Sequence, residues 1–434
     1  MSISNAMQTG VSGLQANSTK VGRISDNIAN ANTDGYRRTF AQMVTSTSST
    51  ATGIAPLGVR AVEGADIAKE GSLRPTSSAT DLGISGSGFF VVSKNPNDPL
   101  QANYTLTRAG AFLPDKDGNL RNAAGLYLAG FPYDSSGSLG AVNRSGFGDL
   151  ETVNVGSFTL PGEATTTMSV TGNLPAQETG LATPGSPFIS TAQYFTPLGA
   201  AEQIQFSWQP SANANQWDLE ISDLNGTTYG TVTVDFNDSG ALAGTPQAYS
   251  NITNTAPAPA GFAFNAATGV ATLTINNGAV PQVIDLTIGA PGSFEGITQF
   301  AGDYSPPDFE KDGFETGTLL RAEIDERGDV YGIFDNGNRK LLYNIPLAEV
   351  TNPNGLLSQD GNAYALARDS GTMQLNTAST GLTGKIVSQS LESSNVEVAQ
   401  ELTDLIQTQR AYSSNAKIIT TVDEMLDETM RLKR

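Results

Sequence analysis

The chain has 434 residues, 46 of them glycine, with 15% charged residues and a formal net charge of −19. Such a length supports two or three domains, and so acidic a balance argues against nucleic acid or anionic lipid as a partner, since both select basic patches. There is no histidine and no cysteine, which removes the commonest general base and neutral metal ligand, any disulfide framework and any thiolate nucleophile.

The first element is helical. Ile3, Met7, Gly10, Leu14, Val21, Ile24, Ile28 and Ala31 recur at alternating steps of three and four, with Asn17 the one polar gap. That 3.5-residue period is the seam of a helix that supercoils against partners. Asn30, Asn32 and Asp34-Gly35 stop it, because their side chains compete for backbone hydrogen bonds and glycine accepts a left-handed turn. The N-terminus lacks the basic-then-apolar pattern of an ordinary secretory signal. No apolar stretch reaches 18 residues, so no membrane insertion is expected.

Residues 33–75 read as an extended Ser/Thr-rich connector, since "TSTSSTATG" at 45–53 carries no helical period. From residue 76 the pattern is strand-like. "SGSGFFVVS", "YTLTRAGAFL" and "GLYLAGFP" are short apolar runs broken by turns, and Asp117-Gly118 signals a hairpin. Residues 76–152 and 304–375 are read as one β domain. Between them, 153–303 forms a second, inserted β domain, a sandwich or small barrel. Its strands include "QIQFSW", "QWDLEISD" and "QVIDLTI", joined by turns such as Asn225-Gly226 and Asn277-Gly278.

A linker and a second helix fill residues 376–434. Val398, Leu402, Leu405, Gln409, Tyr412, Ala416, Ile419, Asp423, Leu426 and Met430 follow a 4-3-4-3 spacing, a stronger heptad than the first. At 1.5 Å per residue the second helix is roughly 50 Å long and the first roughly 40 Å. The two ends of the chain are therefore natural partners. The expected fold is α+β, mainly β, with the terminal helices paired as a coiled coil and two β-rich domains between them. A lone helix pair of this length is marginal without more burial, so further copies are expected to pack against it.

"SGLQANSTKVGRISDNIANANTDGYRR" and "SNVEVAQELTDLIQTQRAYSSNAKIITTVDEML" resemble the N- and C-terminal signatures of the bacterial flagellar axial proteins, the rod, hook and hook-associated family. The segment from "GFFVV" to "GLYLAGFP" resembles the β domain that rod and hook members share. The length and the single insertion are most similar to hook members. The resemblance covers about residues 1–150 and 304–434. It implies terminal helices lining a central channel, β domains as outer shells, and export of unfolded subunits through the flagellar type III export apparatus. A chain without cysteines suits that route. The implied partners are further copies of the chain in a helical homopolymer, distal rod, hook cap and hook–filament junction proteins. The implied location is the extracellular hook, continuous with the basal-body rod. A distal rod protein is the nearest alternative. An adhesin on a coiled-coil stalk lacks its secretion signal here, and a glycan-acting enzyme lacks an outstanding carboxylate pair.

Apparent chemistry dissolves on inspection. "GISGSGFF" has the wrong spacing for a dinucleotide loop and leads into a strand. "DKDGNL" places glycine fourth instead of sixth for a calcium loop, and Leu126 stands where a bidentate glutamate is needed. Asp423/Glu424 and Asp427/Glu428 read as solvated or intersubunit charges rather than an acid–base couple. No catalytic residue, metal or cofactor is assigned. The expected assembly interface is Ile3, Met7, Leu14, Val21, Ile24 and Ile28 with Val398, Leu402, Leu405, Gln409, Tyr412, Ala416, Ile419, Leu426 and Met430.

Overall fold

The computed structural model describes residues 3–50, 53–134, 137–156, 158–278 and 280–432, without the side chains of 3–4, 48–50, 53–57 and 432. The chain divides into two compact units. The first comprises Met1–Ser157, Leu320–Ile333 and Arg339–Arg434; the second is Phe158–Leu319 with Phe334–Asn338. The second is thus an insertion in the first.

The first unit starts with helix α1 (Ile3–Ala29) and ends with helix α2 (Val398–Leu432). α1 stops where its asparagines begin. The Asn30 side chain donates to the Asp26 carbonyl at 2.9 Å, and Gly35 sits at φ 72°. A Cβ on Gly35 would lie 2.5 Å from the Ala109 nitrogen, so only glycine fits that turn. The expected connector is instead an antiparallel hairpin of β1 (Thr39–Thr50) and β2 (Gly53–Ala65), paired from Thr39↔Ala65 to Thr50↔Gly53 with a register shift between Ser46 and Thr47. The Ser/Thr-rich β1 lacks the apolar alternation that marks a half-buried sheet, so it reads as loop. An isolated two-stranded ribbon is marginal, and this one is laid along α1. The Ser12 hydroxyl accepts from the Val59 nitrogen at 3.2 Å, and Arg23 reaches Glu63 at 3.3 Å.

The β domain of this unit is assembled from both halves of the chain. Phe89–Ser93 pairs with Tyr104–Thr107, Tyr127–Pro132 and Pro346–Val350. All five of its residues are buried. Phe89 and Val91 point into one apolar core and Phe90 and Val92 into another. A strand covered on both faces reads as a continuous apolar run, as "FFVV" does. The expected hairpin around Asp117-Gly118 joins Phe112–Pro114 to Leu120–Asn122. The stretch expected to be linker after residue 375 contains two short strands before α2. Lys385–Ser388 pairs with Leu82–Ser85, and Ser390–Glu392 pairs with Leu73–Pro75, so the chain is stitched to the domain until just before α2.

The second unit has a five-stranded antiparallel meander (Phe188–Phe195, Ala201–Pro210, Gln216–Asp223, Thr228–Phe236, Pro246–Asn254) and a six-stranded sheet. One core joins them, centred on the fully buried Trp208 and Trp217. The alternation is direct: Gln282–Thr287 reads buried, exposed, buried, exposed along its length. The expected boundary at residue 303 falls short. Ser305–Lys311 pairs with Thr167–Pro175, and Glu163 bridges Phe314, which holds these residues in the sandwich.

Candidate assembly interface

The two terminal helices pack against each other antiparallel. α1 offers small residues at the contact. A Cβ on Gly10 would lie 3.1 Å from Ile419 Cγ1, and one on Gly13 would lie 2.7 Å from Asn415 Nδ2. Missing side chains let the two backbones approach. Further along, α1 buries Ala16, Asn17, Ile24 and Asn27. On α2 the most buried positions are Glu401, Thr408 and Val422, flanked by half-buried Leu405, Asn415 and Ile419. The face that α2 turns to α1 is therefore spaced by heptads, but half of it is polar: Glu401, Thr408 and Asn415 alternate with Leu405, Ile419 and Val422.

Part of the apolar row legible in the sequence lies beside that face. Val398, Leu402, Gln409, Tyr412, Leu426 and Met430 are exposed in the subunit, as is Met7 on α1. Leu405, Ala416 and Ile419 are half-buried, as are Leu14, Val21 and Ile28, while Ile24 is buried. The side chain of Ile3 lies outside the described residues. Val21, Gln409 and Tyr412 come together with Ser18 and Ser413 round a groove of about 420 Å³ between the helices. Two adjacent rows of α2 share a seven-residue spacing, offset by one residue or roughly 100°. The sequence pattern identifies the apolar row; only packing shows that Glu401, Thr408 and Val422 are buried beside its half-buried members Leu405, Ala416 and Ile419.

The reason is a polar hub where both helices meet the β domain. The Asn27 side chain donates to Glu401 at 3.2 Å and to the Thr39 carbonyl at 2.7 Å, and accepts from the Thr39 nitrogen and the Tyr36 hydroxyl. Arg38 Nε reaches Glu401 at 2.5 Å, and its other nitrogens face Asp66 and Asp404. Burial works against the charge on Arg38, but the bond and charge of Glu401 prevail and hold its pKa above the usual value. One layer deeper, Glu392 accepts from Arg37 at 2.7 Å, Arg108 at 3.0 Å and the Gly71 nitrogen at 2.7 Å. Burial pushes the Arg108 guanidinium below its usual value, with Glu392 pulling the other way. Asn395 completes the hub, accepting from the Arg38 nitrogen and donating to the Asp66 and Lys69 carbonyls. Sequence reasoning missed these residues. The available signal was the Arg37-Arg38 pair directly after a helix stop, and a glutamate and an asparagine at the entry to α2.

The flagellar hook protein FlgE of Brucella suis biovar 1 is 33% identical over 438 residues, and that of Rhizobium meliloti is 34% identical over 441, each covering 100% of both chains. The chain belongs to the flagellar hook protein FlgE family. Its terminal segments match the models "Flagella basal body rod protein" at 7–37 and "Flagellar basal body rod FlgEFG protein C-terminal" at 387–432. Between them, "Flagellar hook protein FlgE/F/G D1 domain" matches 83–173 and "Flagellar basal body protein FlaE D2 domain" matches 185–314. A crystal structure of Helicobacter pylori flagellar hook protein FlgE2 covers 74% of this chain and 100% of its own, with a TM-score of 0.48 and 14% identity. In this hook-family chain, Asn27 and Arg37 fall in the first terminal match, and Glu392, Asn395 and Glu401 in the second. No described helix is long and apolar enough to cross a membrane.

Proposed function

We propose that the chain is the structural subunit of the bacterial flagellar hook, polymerising helically into a curved, flexible tube that carries motor torque to the filament. The observation that carries this reading is the exposed apolar row of α2. The β cores are closed by their own strands, and the α1 contact uses the neighbouring Glu401–Thr408–Val422 row with only the half-buried part of the apolar one. Leu402, Tyr412, Leu426 and Met430 are thus left for α-helices of adjacent copies, with Val398 and Gln409 in the same row and Met7 beside it. Leu14, Val21, Ile24, Ile28, Leu405, Ala416 and Ile419 hold the pair from which that row projects. Repeating head-to-tail contacts that do not close generate a filament of this kind. The β units supply outer polar surfaces that slide as the tube bends. The ends of the tube meet distal rod, cap and junction proteins, and subunits arrive through the flagellar export apparatus.

Leu402→Asp tests the reading. Leu402 is exposed in the subunit, so an aspartate there is solvated before assembly and buried after it. Burying an unpaired carboxylate costs several kcal/mol, repeated in every subunit. Wild-type protein sediments as tubes visible by negative-stain microscopy, whereas Leu402→Asp stays in the supernatant with an unchanged thermal melt. Normal tubes from the variant refute the assignment of this row.

A further inference from the structure

We propose that Met7, Met425 and Met430 are oxidant-sensitive sites at one end of the helix pair, where peroxide converts the thioethers to sulfoxides and blocks docking of a second copy of the chain. The blocking step rests on the reading of α2 as the assembly face; the oxidation itself does not. With no cysteine in the chain, no thiol competes, and methionine sulfur is the side-chain group most readily oxidised. Access then decides which methionines react. Met7 is 42% exposed, Met425 53% and Met430 72%, whereas Met168 in the sandwich core is 3% exposed.

The register places the three at the same end of the helix pair. Gly10 of α1 lies against Ile419 of α2, so in antiparallel helices Met7 stands level with Val422, and Met425 and Met430 follow within about two turns. In the reaction a sulfur lone pair attacks a peroxide oxygen. The S–O bond forms as the O–O bond breaks, and the departing hydroxide takes a proton to leave as water. Sulfur is oxidised by two electrons and hydrogen peroxide is reduced. A flexible apolar side chain becomes a polar one with a strong acceptor. Buried between helices without a donor, that acceptor opposes assembly, and three per subunit raise the critical concentration at least tenfold.

The test treats the full chain with hydrogen peroxide, quenches with free methionine, maps sulfoxides by peptide mass spectrometry and measures polymer by sedimentation. Met7, Met425 and Met430 oxidise well ahead of Met168, polymerisation falls at least tenfold, and a mixture of both methionine sulfoxide reductases restores it. Met43 is exposed on the hairpin, outside the apolar row of α2, and serves as the control. Met43→Leu remains peroxide-sensitive. Fully oxidised chain that polymerises as well as untreated chain overturns the proposal, as does rescue by Met43→Leu alone. Failure of untreated chain to polymerise overturns the assembly reading instead, and leaves the order of sulfoxide formation to confirm or refute the reactive sites.

Discussion

Glu392→Ala probes the deepest part of the hub. The carboxylate is 0% exposed and compensates two buried guanidiniums, Arg37 and Arg108. Among the described residues no other carboxylate pairs with either of them, and Arg37 Nε and Nη1 and Arg108 Nε have no hydrogen-bond partner. Removing one member of a buried ion pair leaves an uncompensated charge and costs about 3–5 kcal/mol. Here two like charges remain, and the Gly71 nitrogen loses its acceptor as well. For a domain of this size each kcal/mol lowers the melting temperature by about 2–4 °C, so the expected drop is roughly 6–20 °C. Helical circular dichroism follows the first unit, which holds both α-helices. Both tryptophans, Trp208 and Trp217, lie in the sandwich, so their fluorescence follows the second unit alone. The helical transition falls while the tryptophan transition stays in place. Arg37→Ala combined with Glu392→Ala costs less than the sum of the single changes, with a coupling of about 0.5–3 kcal/mol. A Glu392→Ala melt within about 1 kcal/mol of wild type refutes the buried hub.

Gly13→Val places a branched side chain against Asn415, where even a Cβ comes within 2.7 Å of the amide; overpacking costs about 1–3 kcal/mol and appears in the helical melt alone. Asp312 is opposed by burial, yet bonds from Thr166 and Thr167 prevail and hold its pKa below the usual value. Its contribution is present above the unfolded pKa near 4 and is lost as pH falls through the folded one. Acid titration of tryptophan fluorescence therefore shows a loss of sandwich stability that Asp312→Asn flattens. Residues 158–319 expressed alone fold, with tryptophan emission as blue-shifted as in the full chain; solvent-like emission from the fragment refutes an independent core.

Local patterns carried most of the architecture. The helical period of both termini, the all-apolar "FFVV" and the alternation of "QVIDLTI" each reflect which faces a segment must bury, and a segment's own residues encode that. The Ser/Thr hairpin at 39–65 escaped because its strands are stabilised by α1, not by an apolar face of their own. The sandwich boundary escaped because Ser305–Lys311 is fastened by a strand more than a hundred residues earlier. In α2 the sequence marked an apolar heptad row, but two rows one residue apart satisfy the same spacing. Which residues of the two rows meet α1 was decided by Asn27, Gly13 and Gly10 on the other helix, which take Glu401, Asn415 and Ile419. The hub lies furthest from local reading: Arg37 and Glu392 are 355 residues apart in the chain and 2.7 Å apart in the fold. A buried charge is tolerable only beside its partner, and the partner's position is a property of the tertiary structure alone.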